Sequence, residues 1–162
     1  MTQRVAQRPW SEADAAEIIA GHKDLPGAML PMLHALQEAF GYIDGAAIPL
    51  VAEALNVSKA EVHGVIGFYH DFRTALPGRH VLKLCRAEAC QSMGCDALVA
   101  HVERGLRVKL GETTEDGAVT LEAVYCLGNC ALSPAAMLDG KLYGRVSPAK
   151  ADALVERARS RP

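Results

Sequence analysis

The sequence predicts an α+β chain: an N-terminal helical bundle followed by a mixed β-sheet flanked by helices. Three observations predict it. Between residues 11 and 70, apolar side chains recur at helical spacing. A Leu76-Pro77-Gly78 break follows. Beyond it, short apolar runs bounded by turn residues replace the helical period. The expected domains are residues 1–76 and 77–162.

The helical part reads as four elements. Ser11, with Asp14 three residues on, forms an N-terminal cap ahead of Ala15, Ile18 and Ile19. A second helix is expected from Met29 to Phe40, where Leu30, Leu33, Leu36, Gln37 and Phe40 share the helical period. Pro31 suits its first turn and Gly41 its stop. A third spans about Ile48 to Leu55. A fourth starts at Ser58, which with Glu61 makes a capping box, and runs through Val62, Val65, Ile66 and Tyr69.

In the second part, His80–Leu84 reads as a strand and Asp96–Arg104 as a helix. Arg107–Leu110 and Val119–Tyr125 read as strands, with Gly111–Gly117 as the turn between them. Ala135–Leu138 and Lys141–Val146 form a hairpin around Asp139-Gly140. Ser147-Pro148 opens a final helix, Ser as cap and Pro at the first helical position. The sum is a domain of about 80 residues with a helix-flanked mixed sheet.

Composition excludes several classes. The chain has 162 residues, half of them hydrophobic and 22% charged, which is not a disordered composition. Lys and Arg number 17 against 19 Asp and Glu, a net charge of −2, so the basic surplus of a nucleic-acid binder is missing. Aromatics are sparse, which disfavours base stacking. The longest stretch free of Asp, Glu, Lys and Arg, Ala123–Leu138, carries Asn, Ser, Pro and Gly and is shorter than a membrane span of about 20 residues. Met1–Trp10 is polar, with two arginines and no apolar run behind it, so no signal peptide is expected and a cytoplasmic location is. In that compartment cysteines bind metal or do redox work more often than they form structural disulfides, and five is an odd number for a disulfide framework.

The cysteines carry the chemistry. Four residues separate Cys85 from Cys90, three separate Cys126 from Cys130, and 35 lie between the pairs. Four thiolates can hold a [2Fe–2S] cluster, two on each iron. Each pair begins where a strand is expected to end, so neighbouring strands would bring both loops to one sheet edge. A structural zinc site also takes four cysteines, although zinc knuckles favour two-residue gaps. A thiol–disulfide switch, or plain buried thiols, are further readings of the same residues. Gly128 in Cys126-Leu127-Gly128-Asn129-Cys130 permits positive φ and frees backbone N–H groups to turn toward sulfur.

Taken together, these motifs resemble the thioredoxin-like [2Fe–2S] subunit found beside the flavin subunit in NADH-linked complexes. That family holds the E-type subunit of bacterial complex I, its counterpart in bidirectional hydrogenases, and the gamma subunit of NAD-dependent molybdenum formate dehydrogenases. The resemblance covers about Leu30 to Val155. The stretches Leu33–Ile43, Glu61–Tyr69 and Gly140–Val146 carry it, together with both cysteine pairs. It implies a thioredoxin-like [2Fe–2S] ferredoxin domain after the helical bundle, with Cys85, Cys90, Cys126 and Cys130 as cluster ligands. It also implies an electron-transfer role without catalysis of its own, and a partner subunit that binds FMN and NADH. The run Cys130–Gly140 resembles the formate dehydrogenase gamma subunit most, so that complex is expected ahead of complex I or a hydrogenase.

Several residues stand outside this pattern. Cys95, five residues after Cys90, could displace Cys90 as a ligand but reads first as a buried thiol at a helix start, reactive only if exposed. Leu50–Val62 resembles a helix-turn-helix, raising an iron–sulfur DNA-binding regulator. Its reading helix would carry only Lys59 as a basic group besides neutral His63, too little for phosphate contacts. The six histidines, His22, His34, His63, His70, His80 and His101, show no metal-ligand spacing. With no phosphate-binding glycine pattern, neither NAD nor flavin binding is expected of the chain itself. Val65, Ile66, Phe68, Tyr69 and Phe72 spread over more than one helix face, which places about Val62 to Phe72 at a partner contact or a domain seam.

Overall fold

The computed structural model describes residues 8–160; Met1–Gln7, within the stretch read as lacking a signal peptide, lies outside them. The chain divides into two compact units, one up to Leu76 and one from Pro77. Among the described residues no helix is long and apolar enough to cross a membrane.

The first unit holds α1 (Glu12–His22), α2 (Met29–Phe40), α3 (Ala47–Leu55) and α4 (Lys59–Phe68). Local chemistry sets their ends. Ser11 accepts a hydrogen bond from Asp14 N–H at the start of α1. Gly41 closes α2 at φ 84°, a left-handed stop that a glycine takes without strain. At α4 the Ser58 hydroxyl accepts from Glu61 N–H while the Glu61 carboxylate accepts from Ser58 N–H, the reciprocal cap expected of that pair.

The four helices bury one core in which Met32, Leu33, Leu36, Phe40, Val51 and Val62 are fully enclosed. Trp10 packs tilted against Phe40 with ring centres 5.0 Å apart. Gln37, on the same helical period as the core leucines, serves the backbone instead. Its amide donates to Asp71 O at 2.8 Å and accepts from Arg73 N–H at 2.6 Å, pinning the segment after α4. The Val62–Phe72 stretch splits between two environments: Val62, Ile66 and Phe72 are buried, whereas Phe68 is 74% exposed and Tyr69 is also open.

The second unit contains β1 (His80–Cys85), α5 (Glu88–Ser92), α6 (Cys95–Leu106), β2 (Val119–Val124), β3 (Ala136–Leu138), β4 (Lys141–Tyr143) and α7 (Pro148–Ser160). The sheet order is β2-β1-β3-β4. β1 and β2 run parallel, joined by the α5–α6 crossover; β3 is antiparallel to β1 and to β4. Leu82, Leu84, Val119, Leu121, Ala136 and Leu138 form one core with Leu98, Val102 and Leu106 of α6 and with Ala151, Leu154 and Ala158 of α7. His101 and Asp152 join the two helices at 2.7 Å. Asp139 and Gly140 both take positive φ, 50° and 80°, which is the turn geometry their sequence predicts between β3 and β4. His80 meets Asp139 at 2.6 Å beneath that turn.

One expected strand does not form. Arg107 caps α6 in the left-handed region, φ 60°, and residues 107–110 are a loop. Its amides are already used: Lys109 N–H donates to Glu112 Oε2 at 2.7 Å and Leu110 N–H to Glu103 Oε1 at 3.2 Å. The alternation that suggests a strand is genuine, because Val108 and Leu110 both pack on the core. Side chains follow a strand-like period while carboxylates take the ladder hydrogen bonds. The β4 strand also stops at Tyr143, short of the Val146 expected.

Deleting the Phe40 ring tests the helical core. Phe40→Ala is expected to cost about 3–5 kcal/mol, because it removes a fully buried aromatic and its Trp10 contact. Denaturant unfolding monitored at Trp10 reads this directly.

Candidate metal centre

The parallel pairing of β1 and β2 places Cys85 directly opposite Val124. Both strands therefore end at the same edge, and the two cysteine loops leave side by side. Cys90 sits on α5, a helix of five residues, with its N–H donating to Ala87 O at 2.9 Å. Sequence reasoning missed α5, because one turn is too short to show a period. Cys126 follows β2 after Tyr125, and Cys130 opens a single 3₁₀ turn, Cys130–Leu132.

Two of these thiols are buried and two are open. Cys85 and Cys90 are 3% and 2% exposed and pack with Cys95 and Ala135; Cys126 and Cys130 face solvent with their sulfurs 4.0 Å apart. Among the described residues, no three His, Cys, Asp or Glu side chains converge on a single ion position. The thiols stand as pairs, whereas a closed zinc site needs four donors around one point.

Backbone amides converge on the sulfurs. Burial pushes the Cys85 thiol up. The N–H groups of Ala87, Cys126 and Leu127 and the Cys90 thiol outweigh it, leaving Cys85 below the ordinary thiol value. For Cys90, burial wins: it and the neighbouring Cys85 sulfur hold the thiol up against the Ala135 N–H and the Ser133 hydroxyl. The Cys126 sulfur likewise keeps Cys130 above its usual value. Gly128, at φ 70°, donates its N–H to Cys126 Sγ at 3.3 Å, as its sequence context predicts. Cys126 itself takes φ 100°, a sparsely populated conformation for a residue with a Cβ.

Gly144 is a support that the sequence analysis overlooked. A Cβ there would lie 2.6 Å from Leu132 Cβ and 2.7 Å from Asn129 Nδ2, both in the second cysteine loop. The adjacent Arg145 N–H donates to Leu132 O and Val146 N–H to Pro134 O, so the segment after β4 braces that loop. Ser133 is a second omission. Its hydroxyl donates to Cys130 O and so ties the second cysteine loop back on itself.

Cys95 lies at the first position of α6, as expected, and is 1% exposed. Burial and the Asp96 carboxylate push its thiol up, so it is inert rather than reactive.

A family model described as thioredoxin-like [2Fe-2S] ferredoxin matches residues 15–159. The chain belongs to the thioredoxin-like [2Fe–2S] ferredoxin family. A [2Fe–2S] cluster is this family's cofactor, and the α+β reading, helices followed by a thioredoxin-like domain, holds. An E-type subunit of NADH-quinone oxidoreductase from Rhizobium meliloti is 36% identical over 141 residues, covering 87% of this chain and 84% of its own. The HndA subunit of the NADP-reducing hydrogenase of Solidesulfovibrio fructosivorans is 33% identical, covering 82% of this chain and 79% of its own. Among solved structures, an NAD⁺-reducing [NiFe]-hydrogenase in the air-oxidized state superposes with a TM-score of 0.69 at 25% identity. It covers 85% of this chain, which spans only 24% of that hydrogenase chain. The donor set of this ferredoxin-family chain fits its cofactor: two thiol pairs offer two thiolates per iron, and N–H donors stand ready to neutralise sulfur charge.

Gly144→Ala should damage the second loop selectively. Overpacking against Leu132 and Asn129 is expected to cost about 1–3 kcal/mol and to accelerate loss of cluster absorbance. A visible-absorbance melt set beside far-ultraviolet circular dichroism separates the local effect from global unfolding.

Proposed function

We propose that Cys85, Cys90, Cys126 and Cys130 ligate one [2Fe–2S] cluster and that the chain is the electron-transfer subunit of an NAD-linked oxidoreductase. The observation that carries this reading is the meeting of two thiol pairs at one sheet edge, with amide donors on the sulfurs. When bound, the cluster supplies one-electron chemistry beside a flavin that exchanges two electrons with NAD as hydride. The chain's own part is to hold and tune. Cys85 and Cys90 provide the buried pair, Cys126 and Cys130 the exposed pair. The N–H groups of Ala87, Cys126, Leu127, Gly128 and Ala135 stabilise negative sulfur. No residue of the chain performs bond-breaking chemistry in this reading.

The partner is an FMN- and NADH-binding subunit, in the cytoplasm, within a larger complex. Phe68, the last residue of α4, and Tyr69 just after it are exposed and meet edge-to-face at 5.1 Å, which suits a protein contact. The parent complex proposed is an NAD-dependent formate dehydrogenase, on the resemblance of the run Cys130–Gly140 to its gamma subunit. The names of the relatives favour a second reading, complex I or an NAD(P)-linked hydrogenase.

Anaerobically purified protein should hold two irons and two labile sulfides and give a paramagnetic signal after reduction. Stoichiometric zinc in colourless protein would overturn the assignment. Replacing any of the four proposed ligands by Ser should abolish or alter the spectrum, because a harder oxygen ligand suits iron–sulfur centres poorly. Cys95→Ser should leave it intact, and loss of cluster there with Cys90→Ser tolerated would reassign the ligands. Affinity purification from the native host, with the co-purifying proteins identified by mass, decides the parent complex. A molybdenum-binding formate dehydrogenase component supports the proposal; quinone-reductase or nickel–iron components replace it.

A further inference from the structure

Arg86 directly follows Cys85, at the edge where the cysteine loops leave the sheet. Its backbone N–H donates to Val124 O at 2.8 Å, and its carbonyl accepts from Gln91 Nε2 at 3.1 Å. Both ends of the peptide are therefore fixed. The guanidinium Nη2 donates to Asp96 Oδ1 at 3.2 Å, in the first turn of α6. The Nε of the same group is buried and has no hydrogen-bond partner among the described residues. A buried, unpaired N–H on a permanent cation is costly, and such groups ask for a reason.

The surroundings of the guanidinium offer one. Asp96 Oδ1, which accepts from the guanidinium, also lies 3.9 Å from Cys95 Sγ, so one carboxylate oxygen joins Arg86 to the Cys95 thiol. Cys95 packs in one cluster with Cys85, Cys90 and Ala135, so the field of Arg86 falls on the buried side of the proposed metal centre. Asp96 is mostly exposed, and its opposing charge is the better screened of the two.

We propose that Arg86 sets the reduction potential of this centre: its positive charge, held next to the Cys95 thiol that packs with Cys85 and Cys90, stabilises the reduced cluster, and Asp96 orients the guanidinium while partly cancelling it. The inference rests on the ligand set proposed above. One-electron reduction adds one negative charge to the cluster. A cation in a partly desolvated position therefore stabilises the reduced form more than the oxidised one. A purely structural ion pair at the start of α6 would alter unfolding without moving the midpoint in a charge-dependent direction.

The test is a potentiometric titration of the full chain, anaerobically with dithionite and mediators, followed by paramagnetic resonance. Arg86→Gln should weaken reduction about tenfold, a midpoint about 59 mV more negative for a one-electron couple. Arg86→Lys should keep most of the wild-type value, and Asp96→Asn should move the midpoint upward. An unchanged midpoint in Arg86→Gln, or a shift of Arg86→Gln and Asp96→Asn in the same direction, overturns the proposal. Should Arg86→Gln fail to hold a cluster, Asp96→Asn decides alone: a rise supports the proposal, and no rise overturns it. A wild-type chain without two irons overturns the ligand assignment and this inference with it, whereas an intact cluster with unmoved midpoints overturns only the inference.

Discussion

The parallel hydrogen-bonded pairing of β1 with β2 is the constraint on which the site depends. Its register sets Cys85 against Val124, so both strands expire at one level. Each cysteine loop then needs only a few residues to bring its second thiol back to that edge. A one-residue slip would turn either Leu82 and Leu84 or Val119 and Leu121 away from α6 and α7, and the apolar core forbids it. Burial of those four side chains thus fixes the position of thiols that lie outside the main core. The crossover that parallel strands require is used twice, since α5 carries Cys90 and α6 supplies the wall behind it.

Within that frame the two thiol pairs live in different media. Cys85 and Cys90 are desolvated, which by itself opposes ionisation, yet amides from three separate segments reverse the balance at Cys85 or temper it at Cys90. Those segments are the loop before α5, the turn after β2 and, for Cys90, the entry to β3. The convergence works only if the turn after β2 is sharp, and Cys126 accepts a strained backbone to make it so. Gly144 contributes from the far side, because its missing Cβ lets the segment after β4 lie against Leu132 and Asn129. Structural and electrostatic roles are joined here: whatever loosens the second loop also withdraws N–H groups from sulfur.

Much of this was legible in the sequence because it is local or periodic. The capping box at Ser58 and Glu61, the left-handed stop at Gly41 and the Asp139-Gly140 turn are each decided by a few adjacent residues, and each formed where expected. Strand ends beside Cys85 and Cys126 were readable for the same reason. The Arg107–Leu110 segment shows the limit. Its apolar alternation is real and its side chains do pack inward, but Glu103 and Glu112 capture the amides that a ladder would need. Period reports where side chains go, and it is silent about where N–H groups find acceptors.

The same silence hid the finer parts of the site. Gly144 lies against Leu132 and Asn129, and Arg86 donates to Asp96 ten residues on. None of these pairings has a spacing rule, since each arises when the sheet brings distant loops to one edge. The cysteine pairs stand out in the sequence because metal-binding chemistry demands a specific residue type in pairs. The groups set around them are backbone amides and an absent side chain, and almost any sequence can supply those. The proposed ligands are therefore visible as residue types, while the electrostatic character of their surroundings is written in the tertiary fold.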